Sequence, residues 1–109
     1  MSAIPGVGPD AEVVTLPNGA RQSRVEARFD LLDGRAMFRL ARVMGYGATR
    51  YEPNNWRGIP VYDHINHALV HIFAYLAGDT QDDHLGHALC RLHMAVAVEE
   101  AKQKPPEGG

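Results

Sequence analysis

The chain has 109 residues, of which 45% are hydrophobic and 22% charged. That suits one globular domain with a modest core and excludes a wholly disordered chain. A formal charge of −2, from 11 basic and 13 acidic residues, argues against a general DNA binder, which carries a basic excess.

No apolar run approaches the roughly 20 residues that span a bilayer, and no signal-peptide pattern opens the chain. One cysteine, Cys90, excludes an internal disulfide framework and fits a reducing cytoplasm, so a cytoplasmic protein without a membrane partner is expected. Residues 1–17 are rich in Gly and Pro around a short Val13-Val14 step. They read as a flexible, irregular N-terminal arm. The polar segment from Asn18 to Ser23, with Gly19 inside it, reads as a loop.

Three helices follow, so the fold class is all-α, a small helical bundle over residues 18–102. The first is expected from Asp33 to Gly45, with Ala36, Met37, Leu40, Val43 and Met44 as its apolar face and Gly45 and Gly47 ending it. Tyr51 to Pro60 holds two prolines and two asparagines and reads as a loop anchored by Trp56. The second helix is expected from Tyr62 to Ala77. Ile65, Leu69, Ile72 and Leu76 share one stripe and His64, His67 and His71 another. Gly78 stops it, and a tight turn over Gly78-Asp79-Thr80 leads to a third helix from Asp82 to Lys102. There, Leu85, Leu89, Leu92 and Val96 form the expected core stripe, and His84, His87 and Arg91 the polar one. The apolar run from Met94 to Val98 suggests a subunit interface. Residues 103–109 read as a disordered tail.

The short turn makes the last two helices an antiparallel hairpin. With the pivot near Asp79, His71 falls opposite His87, His67 opposite Arg91, and Tyr75 near Asp83. Pairs at i and i+4 approach closely on a helix. His67, His71, Asp83 and His87 are therefore the candidate metal ligands. A mixed His/Asp set suits a transition metal or manganese best, and manganese, cobalt, magnesium and zinc are all candidates. The competing reading is a hydrogen-bonded network in which Asp63 and Asp83 orient imidazoles.

Arg28 and Arg91 could hold phosphate oxygens or instead pair with Asp30 and Glu99. Asn55 and Trp56 could meet a base or simply anchor their loop. Gln22 and Ser23 could touch base or phosphate from their Gly-containing loop. Cys90 reads as a small buried hydrophobe.

The order of Asn18-Gly-Ala-Arg-Gln22-Ser23, Arg28-Phe-Asp30, Tyr46-Gly-Ala48, Tyr51, Asn55-Trp56-Arg-Gly58-Ile-Pro60, Asp63-His64-x-Asn66-His67-x-x-x-His71 and Gly78-Asp-x-x-Asp82-Asp83-His84-x-x-His87 resembles the phage-type dATP/dGTP diphosphohydrolase family. These motifs cover residues 18 to about 100. MazZ-like members are linked to MazG-like nucleoside triphosphate pyrophosphohydrolases, which are all-α, oligomeric and metal-dependent. The resemblance implies a purine deoxynucleoside triphosphate as partner and a homodimer or homotetramer. It also implies hydrolysis of dGTP or dATP to the monophosphate and pyrophosphate in phage nucleotide metabolism, in the host cytoplasm. MazG-like enzymes carry Glu-x-x-Glu and Glu-x-x-Asp on consecutive helices. Here the comparable positions hold His64-x-x-His67 and His84-x-x-His87, flanked by Asp63, Asp79, Asp82 and Asp83.

Two functions follow as expectations. In the first, the chain is an enzyme. Divalent metal and Arg28 and Arg91 hold the phosphates, and Gln22, Ser23, Asn55 and Trp56 lie near base or sugar. Water attacks phosphorus, with Asp79, Asp82 or Asp83 as the catalytic carboxylate. An HD-type phosphohydrolase ranks lower, because no adjacent His-Asp pair is present. In the second, the chain is a non-catalytic nucleotide- or protein-binding module whose histidines form structural networks.

Overall fold

A computed structural model describes residue 4 and residues 6–103; the remaining residues of the expected arm and tail, 1–3, 5 and 104–109, lie outside the described residues. The chain divides into two compact units, residues 1–33 and 34–109.

The first unit holds a small antiparallel sheet, β1 (Val13–Thr15) and β2 (Arg21–Ser23), in the register Val13↔Ser23, Val14↔Gln22, Thr15↔Arg21. The protein is therefore mostly helical with one two-stranded sheet, rather than all-α. The local chemistry is plain. Pro17 presets the first corner of the turn, Gly19 N donates to the Leu16 carbonyl at 2.9 Å, and Ala20 N donates to Asn18 Oδ1 at 3.0 Å. Such a three-residue loop is a favoured hairpin closure. The expected irregular arm thus contains a strand, built on Val13-Val14. Gln22 and Ser23 are strand residues rather than loop residues. Glu12 and Arg24 extend the pairing through an ion pair of 3.3 Å.

The second unit is three helices: α1 (Gly34–Arg50), α2 (Val61–Leu76) and α3 (His84–Gln103), with short 3-10 turns at Phe29–Leu31 before it and Asn55–Gly58 within it. Helix α1 runs through Gly45 and Gly47 instead of stopping there. Interior glycine costs a helix about 1 kcal/mol, which neighbouring turns tolerate. The real stop is the Glu52-Pro53 step, because a residue before proline is driven out of the α region. Pro60 precedes α2, and its carbonyl accepts from Asp63 N and His64 N. The helix ends on Gly78 at φ +85°: Asp79 N donates to the Ala74 carbonyl and Gly78 N to that of Tyr75. This is a Schellman ending.

Asp83 caps α3. Its Oδ1 accepts from Gly86 N at 3.1 Å, and a Cβ at position 86 would meet the Asp83 carboxylate at 2.1 Å. Glycine there lets the cap fold over the helix start.

Packing is centred on α3, which lies against α2, α1 and the 55–58 turn. The facing side of α1 is Ala36, Met37, Leu40, Val43 and Met44, as the sequence predicts, all half-buried. The hairpin of α2 and α3 differs from expectation. The expected core stripe of Leu85, Leu89, Leu92 and Val96 is exposed, from 37% at Leu89 to 58% at Val96, and on α2 Ile65, Leu69 and Leu76 are exposed too. Buried instead are His64, Ala68, His84, Ala88, Ala95 and Val98. Small side chains let the two helices approach closely, so the histidine stripes sit where they meet, and the large aliphatic stripes are left on the outside. Among the described residues, no helix is long and apolar enough to cross a membrane.

Candidate functional site

One cleft of about 560 Å³ opens in the helical unit, a size typical of small-ligand pockets. Its walls come from the C-terminal half of α1, the loop after it, and the inward stripes of α2 and α3. Asn55, Trp56, His67, His71, Asp82, His87 and Arg91 all line it. His71 lies opposite His87, as expected from a pivot near Asp79, and their rings stack with centroids 4.9 Å apart.

At the turn end of the cleft, three donors converge. The ligand atoms of His71, Asp82 and His84 lie within 4.8 Å of one another, close enough to share one ion. The donor chemistry fits a divalent metal. His84 Nε2–H donates to Asp79 Oδ2 at 2.5 Å, which fixes its tautomer and leaves Nδ1 as a lone-pair donor, the arrangement seen behind metal-bound imidazoles. His71 Nδ1 lies 3.0 Å from His84 Nδ1. Burial, with His87 and His84 nearby, lowers the His71 pKa, so its imidazole is neutral. The His84 contact holds the Asp79 carboxyl below the usual range. Two imidazoles and a carboxylate suit zinc, manganese or cobalt, whereas magnesium prefers an all-oxygen shell. His87 Nε2 sits 3.3 Å from Asp82 Oδ1.

Deeper in the cleft is Arg91. Its Nε is buried without a hydrogen-bond partner, and burial lowers its pKa. A desolvated guanidinium with a spare donor favours an anionic ligand. His64, fully buried, donates from Nε2 to the Trp56 carbonyl at 2.9 Å, so Nδ1 is an acceptor. Burial lowers its pKa as well. This bond fastens the 51–60 loop onto α2. Trp56 is itself buried, with the Arg57 guanidinium 4.3 Å above its ring and His93 at 6.1 Å.

The other sequence candidates have different neighbours. Asp83, besides capping α3, accepts two hydrogen bonds from Arg39 Nε at 3.1 and 3.2 Å and another from Nη2. Arg39 holds its carboxyl low. Asp79 is the orienting partner of His84 and does not line the cleft. Gln22, Ser23 and Arg28 belong to the N-terminal unit, where Arg28 forks onto Asp30 at 2.9 and 2.8 Å. Cys90 is buried, its Sγ 3.4 Å from Met44 Sδ.

Residues absent from the sequence candidates also line the cleft. Tyr46 and Arg50 come from the turn of α1 beyond Gly45, Tyr51 from the following loop, and Asp63 from α2. The signal for the first three was Pro53, which places the helix end later than the glycines suggest.

Taken together these features define a helical, cleft-bearing domain with a His/Asp group that could hold a cation at one end and a half-buried arginine along its wall. The chain belongs to the dATP/dGTP diphosphohydrolase family, whose N-terminal domain model matches residues 17–106. No curated protein and no solved structure matches the chain.

Proposed function

We infer that the protein hydrolyses purine deoxynucleoside triphosphates, dGTP or dATP, to the monophosphate and pyrophosphate in a metal-dependent reaction. The observation that carries this reading is the grouping of His71, Asp82 and His84 at one end of a cleft that Arg91, its Nε buried and without a hydrogen-bond partner, also lines. A divalent cation held by those three residues would neutralise phosphate charge and polarise the P–O bond. Arg91 binds an equatorial phosphate oxygen through its unpartnered donor. Asp79 holds the His84 tautomer. His87, whose Nε2 lies 3.3 Å from Asp82 Oδ1, is the cleft residue assigned to take the proton from water. Water attacks the α-phosphorus, the bond to the bridging oxygen breaks, and pyrophosphate leaves.

Assay of dGTP, dATP and the corresponding ribonucleotides with manganese, cobalt, zinc and magnesium tests this. Pyrophosphate as the product supports it; tripolyphosphate, or no turnover with any ion, overturns it.

A second reading has one observation in its favour. The chain Asp79–His84–His71 already satisfies its own hydrogen bonds without an ion, as a structural network would. On that reading the domain binds a nucleotide without hydrolysing it. A tag-free preparation that retains no metal under dialysis yet binds dGTP would support it.

The active form is inferred to be a homodimer or larger assembly. Large apolar residues of α2 and α3, among them Phe73, Leu76, Leu89 and Leu92, are exposed on the outward side of the hairpin, as at surfaces that meet a partner. A second copy is the occupant that matches apolar surface with apolar surface about a two-fold axis.

A further inference from the structure

The cleft has two chemically different ends. The cation group and His87 lie by the 77–83 turn. The other end is formed by the last turn of α1 and the residue after it. Here the Arg50 guanidinium lies 5.8 Å from the Tyr46 ring centroid and 5.5 Å from that of Tyr51. Both tyrosines line the cleft and expose more than half of their surface.

The direction of α1 fixes how far apart these ends are. Arg39 meets Asp83 and Met44 meets Cys90, so α1 runs parallel to α3. Tyr46 and Arg50 lie beyond the Met44–Cys90 contact, near the level of Met94. Between His84 and Met94 the helix rises about 15 Å, comparable with the span from a triphosphate to its base.

We propose that Tyr46, Arg50 and Tyr51 form the stacking platform for the nucleobase, so that the nucleotide lies along the cleft with its phosphates at His71, Asp82, His84 and Arg91. The proposal rests on the nucleotide reading above.

Three features favour a binding role over an ordinary helix end. A Tyr/Arg pair at i and i+4 is common on a helix surface, but Tyr51 lies past the helix and still joins the same cation–π group. Its backbone is held by a bond from Tyr51 N to the Gly47 carbonyl at 2.9 Å. The Trp56 ring, which also lines the cleft, is buried and covered by Arg57, and the histidine rings lie along α2 and α3, so the rings presented to a ligand at the α1 end are the two tyrosines. Planar rings and guanidinium planes both stack on bases, and a purine offers the larger face.

The test is calorimetric titration of the full chain, with manganese present, using α,β-methylene dGTP and, separately, inorganic tripolyphosphate. Tyr51→Ala is expected to weaken the dGTP analogue by about 5- to 150-fold, the range for losing one base–aromatic stack. Tripolyphosphate affinity stays unchanged, and Tyr51→Phe restores analogue binding. Unchanged analogue affinity in the Tyr46→Ala, Tyr51→Ala double variant overturns the platform. So does an equal loss for tripolyphosphate, which would mark a general defect. If the native chain binds neither probe, the nucleotide reading falls and the platform with it. If it shows base-dependent binding without turnover, hydrolysis falls and the platform stands.

Discussion

The two faces of the α2–α3 hairpin carry opposite chemistry, and each sits where the other would be expected. The face turned toward the rest of the helical unit holds His64, His71, His84, His87 and Arg91 around small residues such as Ala68 and Ala88. The face turned outward holds Leu69, Phe73, Leu85, Leu89 and Leu92. A soluble helix pair normally hides the second set and wets the first. The inversion makes sense if each face serves a different need. On the reading proposed above, the polar face serves a site whose groups bind more tightly when desolvated, and the apolar face serves an assembly. A large aliphatic stripe marks a surface to be covered and does not say by what.

The comparison breaks most completely at the outward face. Leu69→Asp with Leu89→Asp places two charges where a second copy is inferred to pack. Each buried leucine contributes about 1.5–3 kcal/mol, so the expected outcome is complete dissociation, with the sedimenting mass falling to that of one 12.0 kDa chain. A native protein that sediments as a single chain at micromolar concentration would show that the apolar face has another occupant.

On the inward face the expected effect is a loss of metal. Asp82→Asn alters a proposed ligand at an exposed position, so the metal-free protein should melt within about 0.5 kcal/mol of native. Metal retention and turnover should both fall. Asp79→Asn acts one step removed, through the His84 tautomer, and should lower metal affinity by about 10- to 100-fold. Equilibrium dialysis against zinc and manganese measures both. Equal affinity in all three proteins would favour the hydrogen-bonded network over the ion.

A smaller effect is expected from His64, whose folded pKa is held below the ordinary histidine value by burial. Trp56 O, Arg91, His67 and Asp63 are the groups that act on it. Below about pH 6.5 the unfolded chain takes a proton that the folded chain refuses. Stability is therefore full at neutral pH and declines as pH falls from there toward the lowered folded pKa, by at most about 1.4 kcal/mol per pH unit for this one group. His71 adds a slope of the same sign. His64→Gln keeps a donor for the Trp56 carbonyl without the titration. Denaturant melts between pH 5 and 7 should then show a shallower, though not flat, dependence. An unchanged slope would remove His64 as a cause.

Much of this was legible from residues alone. The three helices and their order followed from 3.6-residue periodicity, and the opposition of His71 and His87 from counting back from the turn. Periodicity sorts residues into stripes but carries no sign for inside and outside, so the leucine stripes were assigned to a core they do not form. Strands of three residues are too short to show alternation, which hid the hairpin around Asn18-Gly19. Two glycines outweigh one proline in locating the end of α1, which leaves Tyr46 and Arg50 outside the helix whose last turn lines the cleft. Asp79 lies on the turn, outside any helical phase, so its contact with His84 had no signal in the sequence.

The finest distinction is between the neighbouring carboxylates Asp82 and Asp83, which sequence spacing cannot separate. Asp83 is committed on two sides, to Gly86 N as a helix cap and to Arg39 as a forked ion pair. Asp82 faces the cleft with His87. Asp83→Asn should therefore act on stability and leave metal affinity unchanged, the reverse of Asp82→Asn. Both Arg39 and Asp83 are more than a third exposed, so water screens the pair and its worth is about 0.2–1 kcal/mol. The cap adds a further part that Asn largely retains, since its carbonyl oxygen still accepts from Gly86 N. The paired Arg39→Ala, Asp83→Asn cycle isolates the ion pair from the cap. A coupling energy below about 1 kcal/mol, with native zinc affinity in every variant, is the expected result. Metal loss in Asp83→Asn without loss in Asp82→Asn would move the ligand one residue along the chain and redraw the site.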